Sequence, residues 1–245
     1  MMKTLSFILS LGVFALLSYG FIPAHADDVN IDVGKAPIVV ELFTSQGCSS
    51  CPPAEKILGQ LSGHQRIYTL SCHVTYWDYL GWEDTFGLKS CDQRQFSIMK
   101  ARGKGNYYTP QMVVNGRDEF PGHRSNAIKS AIEKSAKAPL RPISLSHKDQ
   151  STIIAMLPPA PTGNYTLWAF GYEEPQTVNV QGGENRGRKL LSTNTVRVIQ
   201  PVDTWDGSQK MVRFDVGRAD ELDGVVLIAQ QEGYGPIIAS GRLEF

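Results

Sequence analysis

The chain has 245 residues, of which 42% are hydrophobic and 20% are charged, as expected of a protein with an ordinary packed core. Lysine plus arginine equals aspartate plus glutamate, at 24 each, so the formal net charge is zero. That balance gives no electrostatic footprint for nucleic acid or for an anionic membrane surface, and we expect neither as a partner.

The first residues have the pattern of a cleaved signal peptide. Lys3 gives a basic start, residues 5–21 are almost entirely apolar, and Ala24 and Ala26 offer small residues at a cleavage site. The alternative is a membrane anchor, but an apolar run of about 17 residues is short for a bilayer core, which needs roughly 20. We therefore predict a signal peptide over residues 1–26 and a periplasmic or secreted protein.

Strand-like and helix-like segments alternate from residue 35 to residue 139. The apolar run 37–43 predicts a buried strand, and the spacing of Ala54, Leu58 and Leu61 predicts a helix with one apolar face. A strand, a capped helix, a hairpin around Asn115-Gly116 and an amphipathic helix follow, at 66–72, 90–102, 111–120 and 126–138. The order β-α-β-α-β-β-α indicates an α/β domain with a partly parallel sheet.

Beyond Pro139 and Pro142 the helical period disappears. Seven short runs separated by turns rich in Gly, Pro and Asn are predicted strands, at 143–147, 152–157, 165–172, 190–199, 211–216, 225–231 and 237–243. Strands at this spacing are typical of a β-sandwich. The expected organisation is therefore an α/β domain over residues 35–139, followed by an all-β, sandwich-like domain over residues 140–245.

The C-x-x-C motif from Cys48 to Cys51 carries the strongest chemical signal, because it stands between a predicted buried strand and a predicted helix. Pro52 and Pro53 lack a backbone N–H and fit only the first turn of a helix, so the helix must begin close to Ser50. Cys48 would then face unpaired N–H groups and the positive end of the helix dipole, which stabilise a thiolate. We expect Cys48 to be exposed and to attack a substrate disulfide, and Cys51 to be shielded and to resolve the mixed disulfide.

Other interpretations of the motif are an inert disulfide between Cys48 and Cys51, or half of a zinc site. The remaining cysteines do not form a second C-x-x-C. For Cys72 and Cys91 we predict a disulfide that closes a loop of about 20 residues and adds roughly 3 kcal/mol of stability. Four cysteines allow three pairings, so this pairing is one choice among three.

Several residues near the motif are candidates for supporting roles. Pro110 follows a loop and precedes a strand, where a cis peptide bond would present the Thr109 backbone to a substrate chain. Glu41 lies in an otherwise apolar strand. It either points to solvent or is a buried carboxyl group with a raised pKa that takes the proton from Cys51.

Aromatic residues follow the second predicted strand. His73, Tyr76 and Trp77, with Asp78 and Trp82, would form a wall of the substrate groove, and the alternative is a packed surface loop. Residues 184–188 read as a solvated hairpin loop, or as a site where arginine grips a partner carboxylate.

The run from Val39 to Ala54 resembles an exported bacterial family of thioredoxin-like proteins, known as domain of unknown function family 1223. Segments 73–82, 108–116 and 184–188 look like further signatures of that family. The resemblance covers nearly all of the predicted mature chain. It implies a thioredoxin-like fold with a β-rich extension, in a periplasmic or secreted setting, and no established activity. Thr75 departs from the family pattern, where Asp is expected, and Cys72 and Cys91 look like additions.

These observations predict an exported thiol-disulfide oxidoreductase without a cofactor, or a redox carrier for a membrane partner. Its clients would be exported protein thiols or disulfides. Its catalytic residues would be Cys48, Cys51, Pro110 and Glu41, and its substrate contacts Thr109, His73, Tyr76 and Trp77. The alternative is a copper(I) carrier that binds the metal through Cys48, Cys51 and His73. In a third interpretation the protein is an interaction protein, and the dithiol has only the structural role of holding the turn in place.

Overall fold

The computed structural model describes residues 36–149, 152–217 and 221–245. The predicted signal peptide, residues 1–26, lies outside the described residues. Across those three ranges no helix is both long and apolar enough to cross a membrane.

The first half alternates strands and helices in the predicted order β-α-β-α-β-β-α. Its helices are α1 (Pro52–Ser62), α2 (Lys89–Ala101) and α3 (Ser125–Lys137), with a short 3₁₀ helix at Asp78–Leu80. Its strands are β1 (Ile38–Thr44), β2 (Ile67–His73), β3 (Gln111–Val114) and β4 (Asp118–Pro121). The predicted bounds of these elements differ from the observed ones by one or two residues.

The second half consists of strands. They are β5 (Arg141–Pro142), β6 (Ser144–His147), β7 (Thr152–Leu157), β8 (Tyr165–Glu173), β9 (Gln176–Asn179), β10 (Lys189–Ser192), β11 (Thr195–Trp205), β12 (Lys210–Asp215), β13 (Gly224–Gln231) and β14 (Ile237–Glu244). The single strand predicted at 190–199 is two strands, because Asn194 takes a left-handed conformation with φ 50° and breaks the run. Strand β9 was not predicted, because its side chains are mostly exposed and lack an apolar pattern.

A nine-stranded mixed sheet runs through both halves in the order β4-β3-β1-β2-β11-β8-β13-β14-β5. Strand β1 is parallel to β2 and antiparallel to β3. The halves meet where Thr195 of β11 pairs with Ser71 of β2, and the Ser71 N–H donates to the carbonyl oxygen of Asn194 at 2.9 Å. The expectation of an all-β, sandwich-like domain over residues 140–245 is therefore corrected, because its larger sheet continues into the sheet of the first half.

The strands of the second half nevertheless form two packed layers, as in a sandwich. A three-stranded sheet, β12-β7-β6, packs its apolar side chains against those of β8, β13 and β14. A separate two-stranded sheet, β10-β9, lies beside α1. The fold is thus a mixed α/β fold with one large mixed sheet and two smaller antiparallel sheets.

The alternation of β1 assigns helices to the two faces of the sheet. Ile38, Val40 and Leu42 pack with α1 and α3, whereas Val39 and Phe43 share a core with α2. Because successive strand residues point to opposite faces, Glu41 belongs to the α2 face. The face on which a side chain of β1 or β2 lies decides whether it is near the helix that begins at the dithiol.

Cys72 and Cys91 form the predicted disulfide, with their Cα atoms 5.5 Å apart. Cys72 lies on β2 and Cys91 in the first turn of α2, so the bond ties the strand to the helix. It closes the loop that carries Tyr76, Trp77 and Trp82.

Candidate functional site

Cys48 and Cys51 occupy two successive tight turns between β1 and α1. The Cys48 N–H donates to the carbonyl oxygen of Ser45 and the Cys51 N–H to that of Cys48, both at 3.2 Å. Cys51 is the residue that caps α1, and Pro52 and Pro53 fill the first helical positions, as the sequence predicted. The backbone thus turns sharply and leaves the cysteines at the helix N-terminus.

The two thiols differ in acidity. A hydrogen bond from the Cys51 thiol, with further ones from the Ser50 and Thr109 hydroxyls and the Ser50 N–H, outweighs burial and lowers the pKa of Cys48 to about 6. Burial, followed by the hydrogen bond to Cys48 and its negative charge, raises the pKa of Cys51 far above its ordinary value. At neutral pH Cys48 is therefore mostly a thiolate and Cys51 a thiol.

Both sulfurs are free thiols, so the structure describes the reduced form of the motif. The disulfide between Cys48 and Cys51 stays a prediction for the oxidised form. The Cys48 Sγ lies 3.3 Å from the Ser50 Oγ, which belongs to the motif itself.

Cys48 is not exposed as predicted, because only 1% of its surface is accessible. Residues 180–188, which we call the cover segment, lie across the dithiol turn. Buried Asn185 donates its two amide hydrogens to the carbonyl oxygens of Gln46 and Cys48, at 2.9 and 2.8 Å. The Glu184 carboxylate accepts a hydrogen bond from the Ser49 N–H at 3.0 Å.

The cover segment fits closely against the first half. A side chain at Gly182 would meet the carbonyl oxygen of Gly81 at 2.3 Å, so only glycine allows this approach. From the sequence, residues 184–188 were interpreted as a solvated hairpin loop or as a site where arginine binds a partner carboxylate. No pattern in the sequence indicated that the Asn185 amide binds the dithiol turn.

The Thr109–Pro110 loop lies beside the dithiol, and its peptide bond is cis. The Trp77 indole N–H donates to the Thr109 Oγ1 at 2.8 Å, which leaves the Thr109 hydroxyl hydrogen for the cysteines. Thr109, Pro110 and Trp77 are thus brought together with Cys48 and Cys51. Their roles in catalysis and substrate binding stay predictions.

An aromatic surface extends from this loop. The Tyr76 and Tyr107 ring centroids are 5.1 Å apart, and those of Tyr107 and Phe96 are 6.3 Å apart. Tyr107 and Phe96 are exposed, and Tyr76 is half-buried. We call Tyr76, Phe96 and Tyr107 the aromatic ledge. Of its members only Tyr76 was predicted from the sequence.

Glu41 does not serve the predicted role as proton carrier for Cys51. Its buried carboxylate is paired with the buried guanidinium of Arg94, which contacts both carboxylate oxygens through Nε and one terminal nitrogen. Arg94 lies on α2, and Glu41 faces that helix from the opposite side of the sheet to α1. Its carboxylate is therefore engaged on the wrong face to reach the thiol.

His73 does not line the substrate groove either. Its side chain is buried on the α1 face of β2, with Nδ1 2.9 Å from the Asp84 Oδ2 and Nε2 2.9 Å from the Ser192 Oγ. The Glu55 carboxylate lies 3.5 Å from Nε2. Burial acts to lower the pKa of His73, but the charges and hydrogen bonds of Asp84 and Glu55 outweigh it and raise this pKa to about 9.

The described part of the chain contains no group of three or more His, Cys, Asp or Glu side chains arranged to hold a metal ion. Cys48, Cys51 and His73, the ligand set of the copper alternative, are not brought together as such a group.

The sequence matches the model of a family described as "Protein of unknown function (DUF1223)" over residues 39–230. A crystal structure from Agrobacterium tumefaciens is similar, with 30% identity, a TM-score of 0.75, and coverage of 86% of this chain and 95% of that chain. HBP35 of Porphyromonas gingivalis shares 16% identity with a TM-score of 0.56, covering 86% of this chain and 76% of its own, a likeness of fold alone. No curated protein matches the sequence.

Proposed function

The chain belongs to the family of proteins of unknown function DUF1223, and we propose that it is an exported thiol-disulfide oxidoreductase or redox carrier. One observation carries the proposal, which is the placement of the two thiols at the N-terminus of α1, where Cys51 caps the helix and the Cys48 Sγ lies 3.3 Å from the Ser50 Oγ. This setting lowers the pKa of Cys48 to about 6 and keeps Cys51 protonated. An inert structural thiol has no need of neighbours that favour its charged form. A nucleophilic thiol does need them, because the thiolate is the reactive species.

In the proposed reaction the Cys48 thiolate attacks one sulfur of a client disulfide. A mixed disulfide forms, and the other client sulfur leaves as a thiolate. Cys51 loses its proton and attacks the Cys48 sulfur, which forms the Cys48–Cys51 disulfide and releases the reduced client. The direction of net electron flow depends on the reduction potential of the dithiol.

Glu55 takes the place of Glu41 as the proposed acceptor of the Cys51 proton. It lies one helical turn after Cys51, whose carbonyl oxygen accepts the Glu55 N–H at 3.1 Å, and both residues line the same cavity. The Glu55 carboxylate accepts a hydrogen bond from the Ser71 hydroxyl at 2.8 Å. It is thus a carboxylate on the helix that Cys51 caps and at the same cavity, which makes it the candidate acceptor.

The client is proposed to approach over Thr109 and the aromatic ledge. Exposed rings beside the reactive sulfur suit an apolar segment of a partially folded client. Because only 1% of the Cys48 surface is accessible, the groups packed around it must shift when the client binds, and the hydrogen bonds of Asn185 to the dithiol turn oppose that shift.

A thioredoxin-like first half and export to the periplasm or beyond belong to the same proposal. The first is supported by the order of elements and by the Thr109–Pro110 loop beside the dithiol. The second is supported by the signal-peptide pattern of residues 1–26. The partner would accordingly be an exported protein or a membrane redox protein.

Replacing Cys51 by serine tests the order of attack. The Cys51→Ser variant retains a hydroxyl that donates to Cys48, so the thiolate still forms, but nothing resolves the adduct. With oxidised glutathione we expect a stable adduct on Cys48, seen by mass spectrometry without reductant. The double variant Cys48→Ser/Cys51→Ser is the control and should form none. An unmodified Cys51→Ser variant would contradict the proposal.

A further inference from the structure

A cavity of about 490 Å³ lies between α1 and the β9–β10 hairpin. Apolar side chains form much of its wall, namely Pro52, Phe86, Pro175, Val178, Leu190 and Leu191. Its volume is within the range of sites for small organic ligands, which is roughly 300–1,000 Å³. The composition favours a ligand with a flat or rounded apolar body.

The cavity reaches one of the two cysteines. Cys51 is part of its lining, whereas Cys48, Trp77, Thr109 and Pro110 are not. The two sulfurs therefore have separate approaches, with the client side at Cys48 and this cavity at Cys51. A small molecule in the cavity would lie against Cys51 without displacing the cover segment, which does not line the cavity.

One part of the cavity lining is a connected group of polar side chains through which a proton can pass. Glu55, His73 and Ser192 form it, and the Ser192 Oγ lies 2.9 Å from the His73 Nε2. Asp84 holds His73 from behind, with its Oδ2 2.9 Å from Nδ1. A molecule that accepts protons together with electrons could receive a proton from this group of side chains and electrons from the dithiol.

We propose that this cavity binds a quinone, a small apolar acceptor of two electrons and two protons, which reoxidises the dithiol through Cys51. The inference rests on the proposed dithiol chemistry and identifies where its electrons go. A quinone suits the site because its ring matches the apolar wall, and Lys56, Gln60 and Lys189, which also line the cavity, carry donors for its carbonyl oxygens. Its demand for two electrons equals what one dithiol releases.

The step balances in atoms and electrons. The Cys51 thiol adds to the quinone, forming a bond between its sulfur and a ring carbon while its proton passes to a quinone oxygen through the Glu55–His73 network. The Cys48 thiolate then attacks the Cys51 sulfur. The S–S bond forms as the S–C bond breaks, the bonding pair stays on the ring, and one proton from solvent completes the quinol.

The test uses duroquinone, whose ring carbons all carry substituents, so that no stable arylated thiol accumulates. The reduced wild-type protein is mixed with duroquinone or, separately, with oxidised glutathione, which reacts at Cys48. Val178→Trp fills the cavity from the hairpin and Gln60→Trp fills it from the helix. Met211→Trp, at an exposed position on β12, is the matched control.

We expect the wild type to form one quinol for each dithiol oxidised. In both cavity variants the duroquinone rate, divided by the glutathione rate, should fall about tenfold, and in Met211→Trp it should not change. An unchanged ratio in the cavity variants, or a wild type that reacts with glutathione but not with duroquinone, would overturn the quinone site alone. Failure to react with either oxidant would overturn the proposed function and the quinone site together.

Discussion

Serine at position 48 should reduce disulfide exchange to the background rate of the buffer. The hydroxyl of serine does not ionise near neutral pH, and the remaining thiol of Cys51 is buried and protonated. The variant should still fold, because the substitution keeps the size of the side chain and Cys48 contributes no disulfide in the reduced form. Turnover of oxidised glutathione, coupled to a regenerating reductant, gives the measurement.

The matched control for this variant is Ser49→Ala. Ser49 is exposed in the same turn, and the substitution removes the hydrogen bond of its hydroxyl to Glu184 but keeps that of its backbone N–H. We expect it to turn over at close to the wild-type rate. Substantial activity in Cys48→Ser would show that Cys48 is not the nucleophile, and the proposed function would fall.

Methionine at position 94 should destabilise the protein by about 3–5 kcal/mol, since it leaves the Glu41 carboxylate buried without its partner. Arg94 also donates to the Gln230 Oε1 at 3.2 Å, and its guanidinium lies 4.8 Å from the centre of the Phe170 ring. The loss of these contacts adds to the cost. Urea unfolding, followed by tryptophan fluorescence, measures the free energy of unfolding.

The double variant Glu41→Leu/Arg94→Met separates charge from packing. It removes both charges and leaves apolar side chains of similar size, so much of the lost stability should return. Its disulfide exchange should continue, because Glu41 lies on the face of the sheet away from α1. A double variant that is stable but inactive would instead show that Glu41 carries the proton of Cys51.

Local signals in the sequence were sufficient for the elements that position the dithiol. The apolar period of α1, its two initial prolines and the hairpin signal at Asn115-Gly116 each fix the backbone within a few residues. The pairing of Cys72 with Cys91 was also confirmed, although local patterns alone left three choices.

Contacts between distant parts of the chain were beyond such patterns. Asn185 binds the carbonyl oxygen of Cys48 across 137 residues, and Arg94 meets Glu41 across 53. The junction of β11 with β2 rests on one paired residue from each strand. Periodicity reports which face of an element is apolar, but it does not say which partner covers that face.

The proposed function depends above all on the ionisation of Cys48. The reduced wild-type protein is titrated from pH 4 to pH 10 while the rate of alkylation by iodoacetamide at Cys48 is followed by mass spectrometry. We expect a rate that rises with pH, is half-maximal at a pH of about 6 and is flat above pH 7, with Cys51 unmodified throughout. A midpoint near the ordinary thiol value of about 8.5 would contradict the proposed function.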